Sequence, residues 1–295
     1  MRLGLAITGR HRSLNIPMIP MLFALIPVSG CGDEVASPST PPIAEWCDLD
    51  RPREDCEAKF IIVNNGNLEE AKALCETSCT RAKGISIGGG DPELLKAIQG
   101  FKYVGVLELR ASHSTVRDLR AWETINEAGI IRIEDNSGLE SLDGLGNLVR
   151  VGPPTDSEFE LTSGNVIQIG GNPNLNSVSA LKNLKTVGTI DINHNGSLQV
   201  VEGLNNLSTG TVRIEYNDTL ERVSGFDAYE TQGALVLQHN NKLITVDGFQ
   251  NLSEARSVYV YRNRILDECQ VQRIVDQLTN IPEILEISEN GKTCD

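Results

Sequence analysis

The apolar positions of this chain recur in one frame: apolar-x-apolar-x-x-Asn-x-x-apolar, followed by an apolar residue, a small residue and Leu or Phe. It is read in "IRIEDNSGLESLDGL" from Ile131, "IQIGGNPNLNSVSAL" from Ile167 and "IDINHNGSLQVVEGL" from Ile190. It returns in "VRIEYNDTLERVSGF" from Val212 and "LVLQHNNKLITVDGF" from Leu235, and "VYVYRNRIL" from Val258 opens a sixth unit. "ISIGGG" from Ile85 and "LELRAS" from Leu107 read as degenerate earlier units, and "LEISEN" from Leu285 as a last one ending at Asn290. The asparagines at 136, 172, 195, 217, 240 and 263 are separated by 36, 23, 22, 23 and 23 residues.

Each unit predicts one short strand, a turn and a second apolar segment. A unit of that size cannot bury its apolar side alone, so the units must stack. The fold class expected is a β-solenoid with some helix (α+β), right-handed and resembling a parallel β-helix. Alternation within a strand sends Ile190 and Ile192 to the core and Asp191 and Asn193 to solvent. Asn136, Asn172, Asn195, Asn217, Asn240 and Asn263 sit at the corner, where their amides can turn inward. There they would satisfy backbone groups that the bend leaves unpaired.

That register separates a repeat from a metal site. Residues 191–202, "DINHNGSLQVVE", match the calcium-loop pattern D-x-[DN]-x-[DN]-G-x5-E at every specified position. Outward Asp191 and Asn193 and inward Asn195 cannot surround one ion, and the flanking segments are rich in Gly and β-branched residues where a calcium loop needs helices. No metal or cofactor is expected.

The outward columns follow from the same count. The first holds Arg132, Gln168, Asp191, Arg213, Val236 and Tyr259, and the second Glu134, Gly170, Asn193, Glu215, Gln238 and Tyr261. The third holds Asp135, Gly171, His194, Tyr216, His239 and Arg262. Tyr216, Tyr259 and Tyr261 are three of only five tyrosines, and with His239, Arg213 and Arg262 they form an amphipathic patch suited to protein or glycan contact. Cross-strand pairing without any ligand is the competing reading. A second binding candidate is the long step between Asn136 and Asn172, whose excess falls in residues 151–164, "VGPPTDSEFELTSG", with Phe159 as an apolar anchor among acids. His194 and His239 lie two strands apart, about 9.5 Å, too far to share one metal. Asp191 and Glu215, on neighbouring strands in different columns, are a carboxylate pair that would serve a glycan-cleaving enzyme, and solvated strand residues of an acidic protein read the same way. The sequons at Asn195, Asn206, Asn217 and Asn251 read as by-products of the repeat.

The ends of a stack need covering. At the front, "NLEEAKALCETSC" predicts a helix with Asn67 as N-cap, Glu70 completing a capping box, and Cys75 and Cys79 four apart on it. Disulfides among Cys47, Cys56, Cys75 and Cys79 would staple that end, with the pairing left open; a four-thiolate zinc site is the sharper alternative. At the rear, Asp267 opens a helix with Val271, Ile274, Val275 and Leu278 on one face, and Cys269 is expected to join Cys294.

Charge and the first residues then bound where the protein works. Arg2, Arg10 and Arg12 precede the apolar run "IPMIPMLFALIPV", and Ser29, Gly30 and Cys31 follow, the layout of a secretory signal. Residues 28–31, "VSGC", resemble the bacterial lipobox, which implies lipidation of Cys31. Six cysteines remain after Cys31, an even number suited to an oxidising compartment. Removing the three arginines takes the formal charge from −14 to −17, which makes nucleic acid an improbable partner. Residues 31–45 are a Pro- and Ser-rich tether.

On these residues the repeat resembles the receptor L domain, a relative of leucine-rich repeats. The signature N-x-x-L-x-x-V-x-G-L-x-x-L is clearest at 240–252, and at 172–184 with Ala180 for glycine; the apolar residue stands three after the asparagine, as in L domains. The resemblance covers roughly 57–295. It includes one such domain and no kinase or cysteine-rich module, so receptor signalling is not implied. The expected organisation is a lipoprotein signal over 1–30, the tether, and an L-domain-like solenoid over 46–295, with a front cap at 46–83, rungs at 84–265 and a rear helix and last rung at 266–295. The expected function is non-catalytic: an envelope protein anchored to the membrane by its lipid, at the outer membrane or cell surface, binding a protein or glycan. A glycan-active β-helix enzyme and a purely structural envelope protein are the alternatives.

Overall fold

A computed structural model describes residues 48, 52, 54–64, 68–153, 166–230 and 233–294. In chain order the elements are β1 (Glu54–Asn64), α1 (Leu68–Glu76), β2 (Cys79–Gly88), α2 (Pro92–Lys96), β3 (Tyr103–Arg110), β4 (Glu127–Glu134), β5 (Arg150–Val151) and β6 (Val166–Gly170). There follow β7 (Thr186–Asn193), β8 (Val200–Val201), β9 (Thr209–Glu215), β10 (Arg222–Val223), β11 (Ala234–Gln238), β12 (Thr245–Val246), β13 (Ser257–Tyr261), α3 (Glu268–Asp276) and β14 (Ile284–Ser288). Eleven strands form one parallel sheet in chain order, and β8, β10 and β12 form a second, three-stranded parallel sheet. Helix is sparse. The architecture is mostly parallel β, compatible with stacked windings.

The register matches the alternation read from the repeat. Ile131, Ile167, Ile190, Val212, Leu235 and Val258 are neighbours across the large sheet, as are Ile133, Ile169, Ile192, Ile214, Leu237 and Val260. All twelve are at most 1% exposed. Each such aliphatic side chain stabilises the fold by about 1.5–3 kcal/mol relative to exposure. One rung is split: β4 pairs its first half with β5 and its second with β6. Strand β5 ends at Val151 and β6 begins at Val166; residues 154–165, Phe159 included, lie outside those described.

The asparagines do line one edge. Asn136, Asn172, Asn195, Asn217, Asn240 and Asn263 are all fully buried. Each backbone N–H donates to the side-chain Oδ1 of the next asparagine along, at 3.0–3.3 Å, through to Asn290. Each Nδ2 donates back to a carbonyl of the preceding winding: Leu109, Ile133, Ile169, Ile192, Ile214 and Leu237 in turn, at 2.8–3.2 Å. The ladder starts abruptly, because Ser112 is exposed where an asparagine would stand and Asn136 Oδ1 has no hydrogen-bond partner among the described residues.

A second column of amides escaped the sequence reading. Asn147, Asn183, Asn206 and Asn251 donate to the carbonyls of Glu123, Gly146, Lys182 and Asp227 at 2.6–2.7 Å. They stand three residues after the small residue in four of the five full repeats, in "GLGNL", "ALKNL", "GLNNL" and "GFQNL", with Ala228 in the fifth, so the signal was present in the letters. Strand β1 and helix α2 were missed as well. Ile61 and Val63 do pair with Ile85 and Ile87, but without a recognisable asparagine step.

At the front, α1 buries Ala71, Leu74 and Cys75, an i, i+3, i+4 face. The expected helix was too long: it ends at Glu76, and Cys79 opens β2, where its strand pairs with Glu54. Asn67, the expected cap, lies outside the described residues. At the rear, Asp267 caps α3 by accepting from Cys269 N–H at 2.9 Å, and Val271 and Ile274 are buried. Gln270 on α3 occupies the open edge of β12, donating to Ile244 O and accepting from Val246 N–H. Cys269 and Cys294 are joined, closing a separation of 25 residues. By loop entropy that cross-link stabilises by about 3 kcal/mol. Cys75 and Cys79 are each disulfide-bonded, so neither offers a thiolate to zinc; Cys47 and the side chain of Cys56 lie outside the described residues.

Candidate functional site

The corner before each ladder asparagine forces an unusual backbone. Strict alternation would send Tyr216 inward and Asn217 outward. The chain inverts this by placing one residue per winding in the left-handed region: Asp135, His194, Tyr216, His239, Arg262 and Glu289, with φ of 54–57°, and Gly171 at 66°. A side-chain-bearing residue pays about 1–2 kcal/mol for that conformation. It is held because its N–H reaches the last strand residue of the next winding: Tyr216 donates to Gln238 O at 3.1 Å and His194 to Glu215 O at 3.3 Å, while the following asparagine N–H joins the ladder. Two consecutive side chains per winding thereby face outward, in register from strand to strand.

Stacking follows from that register, since the strand spacing of about 4.8 Å is a ring-stacking distance. His194 and Tyr216 stack with centroids 4.9 Å apart, and Tyr216 and His239 with centroids 4.4 Å apart. Tyr261 meets His239 edge-on at 5.8 Å, and Arg262 lies 5.8 Å from the Tyr261 ring while its Nε bonds Glu289 at 2.9 Å. His239 is held below its ordinary value of 6.5 by burial and then by the Arg262 charge, against Glu215 and Glu289. Tyr261 is pushed above its ordinary 10.0 by burial, then by Glu286.

The structure thus brings Tyr216, His239, Tyr261 and Arg262 together with His194, whose part in the stack was not anticipated. Tyr216 is 40% exposed. Tyr259 lies in the first column between Val236 and Glu286, half-buried, with Arg213 one strand beyond Val236. Two outward positions are less open than the alternation implies. Val236 is only 5% exposed, between Arg213 and Tyr259 in its column; Glu215 is 8% exposed, with Arg213 Nη2 at 2.8 Å from its Oε1 in an ion pair too bent for a hydrogen bond.

The other half of the face is closed by charge pairs. Arg132 bonds Glu108 at 2.5 Å, and Arg110 bonds Glu134 at 2.6 Å and reaches Asp135 at 3.5 Å. Between the halves runs the β6 rung, where Gly170 and Gly171 leave the second and third columns without side chains.

The calcium-like stretch is strand and corner. Asn193 Nδ2 donates to Asp191 Oδ1 at 2.8 Å on the outer face, while Asn195 is buried in the ladder. Asp191 and Glu215 are diagonal neighbours, one engaged by Asn193 and the other by Arg213. Among the described residues no group of three or more His, Cys, Asp or Glu is placed to hold a metal, and no helix is long and apolar enough to cross a membrane. Cys31 and residues 1–45 lie outside the described residues. No protein-family model and no curated protein matches the chain.

Proposed function

We propose that this is a non-catalytic, lipid-anchored cell-envelope protein that binds a protein or glycan through the aromatic half of its large sheet. The finer architecture belongs to the same reading: an L-domain-like solenoid of right-handed windings, with α1 and α3 covering its two ends. Chain-order parallel strands, a buried asparagine ladder and Gln270 on the β12 edge support it.

The observation that carries the binding reading is the continuous stack His194–Tyr216–His239–Tyr261 with Arg262 at its end. Rigid amphipathic rings on a fixed scaffold present contact area at low entropic cost, which is what recognition surfaces require. Flanking charges pair with one another, Arg213 with Glu215 and Arg262 with Glu289, as a rim does around an anchor. The test is a screen of the protein on glycan and envelope-protein arrays, repeated with Tyr259→Ala and Tyr261→Ala. Binding that drops at least about tenfold in either variant agrees with the anchor role. A partner whose affinity is untouched by both would remove the patch as its site.

A further inference from the structure

Away from the large sheet, the chain leaves β8, β10 and β12 through the same four positions: an outward residue, a glycine, a buried apolar residue and a second outward residue. They read "EGLN" from Glu202, "SGFD" from Ser224 and "DGFQ" from Asp247. Leu204, Phe226 and Phe249 are at most 1% exposed and anchor the three turns in the core. Gly203, Gly225 and Gly248 have φ of 88°, 76° and 91°. A Cβ on Gly225 would lie 2.7 Å from Gly203 N, and one on Gly248 2.7 Å from Gly225 N, so close stacking keeps this column without side chains. Two outward rows therefore flank a bare floor.

Between the rows lies a groove of about 460 Å³, which reaches Ser179 on the winding before and ends at the Gly248 winding. Its length over those windings is about 14 Å. Beyond it, Gln270 of α3 fills the β12 edge. No apolar side chain lines the groove. Arg222 and Asp247 in its wall bond each other at 2.8 Å. Glu202, Asn205, Asp227 and Gln250 are exposed, and their side chains bond nothing among the described residues. On the floor, the N–H groups of Gly203, Gly225 and Gly248 likewise donate to no acceptor among the described residues. Water can satisfy each of these groups singly. What sets the groove apart is that two rows of them converge over one floor that carries no side chains.

We propose that this groove is a second binding site, for an uncharged glycan of about two or three pyranose units lying along the stack. A hydroxyl both accepts and donates, so one sugar group can accept from a floor N–H and donate to Glu202 or Asp227. An anion would face those two carboxylates while Arg222 is held by Asp247, and a bare cation would leave the floor N–H groups without an acceptor. No three His, Cys, Asp or Glu among the described residues are placed to hold a metal. A protein partner needs an apolar or aromatic anchor point, which this lining lacks. A pyranose unit is about as long as one winding is high, so successive units meet successive copies of the same turn. The site is separate from the aromatic patch and does not rest on it.

The experiment titrates the full chain in detergent, by calorimetry, with maltotriose, cellotriose, laminaritriose and triacetylchitotriose. Trigalacturonate and spermidine serve as charged controls. Asn205→Ala and Asp227→Ala each remove one wall group at an exposed position, so both variants should keep the parent's circular dichroism. The expected result is saturable binding of at least one neutral trisaccharide, unchanged in Tyr261→Ala. Its affinity should fall at least about tenfold in Asp227→Ala and at least about threefold in Asn205→Ala, the scales of a lost hydrogen bond to a charged and to a neutral group. Spermidine should not displace it, and trigalacturonate should bind more weakly. Absence of saturable binding by all four neutral sugars, displacement by spermidine, or a bound sugar indifferent to both wall variants overturns the groove. A bound sugar weakened only by Tyr261→Ala sits on the ring stack and overturns it too. Failure here beside a partner that loses affinity in Tyr259→Ala overturns the groove alone. A sugar lost in Asp227→Ala, with no partner sensitive to Tyr259 or Tyr261, supports the groove and overturns the aromatic patch.

Discussion

Asn217→Ala is the sharpest perturbation of the fold, because the amide it removes sits mid-ladder with no route to water. Asn217 Oδ1 accepts from Asn195 N–H at 3.0 Å, and its Nδ2 donates to Ile192 O and Glu215 O, each at 3.0 Å. Alanine leaves Asn195 N–H without an acceptor and takes one donor from Ile192 O. Glu215 O keeps His194 N–H, and Asn240 Oδ1 keeps the Asn217 backbone. One orphaned buried donor costs about 1–3 kcal/mol, and the weakened carbonyl and the void about 1 kcal/mol each. The sum is about 3–5 kcal/mol, a large part of the 5–15 kcal/mol typical of a folded domain.

Asn290→Ala is the control. Its Oδ1 accepts from Asn263 N–H at 3.1 Å, the same bond one step further on, but Asn290 is only partly buried. Water can replace the lost oxygen there, and the cost falls to about 1 kcal/mol. Urea unfolding followed by far-ultraviolet circular dichroism measures both variants. Hydrogen exchange at the Asn195 amide localises the first, since stacked units are stabilised winding by winding. Equal losses within about 0.5 kcal/mol, or unchanged protection of the Asn195 amide in Asn217→Ala, would refute the claim that burial of the amide column sets its worth.

Two further outcomes follow from the outward columns. At Tyr216, glycine should be more stable than alanine by about 1 kcal/mol, the reverse of the usual order, because φ of 55° strains any Cβ; thermal unfolding of the pair decides it, and alanine ranking above glycine would mean the corner carries no strain. His239 should titrate below 6.5, with Arg262→Gln raising its midpoint; with the folded value depressed, its contribution to stability is present above pH 6.5 and lost as pH falls through the folded value, and an imidazole midpoint indifferent to Arg262→Gln would contradict the assigned cause.

Much of this was legible because a buried amide column is chemically specific. An asparagine at fixed spacing inside an apolar frame has few other uses, so Asn136 to Asn263 announced both the register and the in-facing corner. The same letters hid what depends on tertiary bonds. Propensity argues against Tyr216 or His239 in the left-handed region, yet a hydrogen bond to the next winding outweighs the local cost at every step. Val236 reads as exposed by parity, but parity fixes direction and not accessibility, which large neighbours in the column decide. Gly170 and Gly171, by contrast, fall in the second and third columns by the count of the repeat alone, and the strand pairing of Gly170 with Glu134 and Asn193 follows that count.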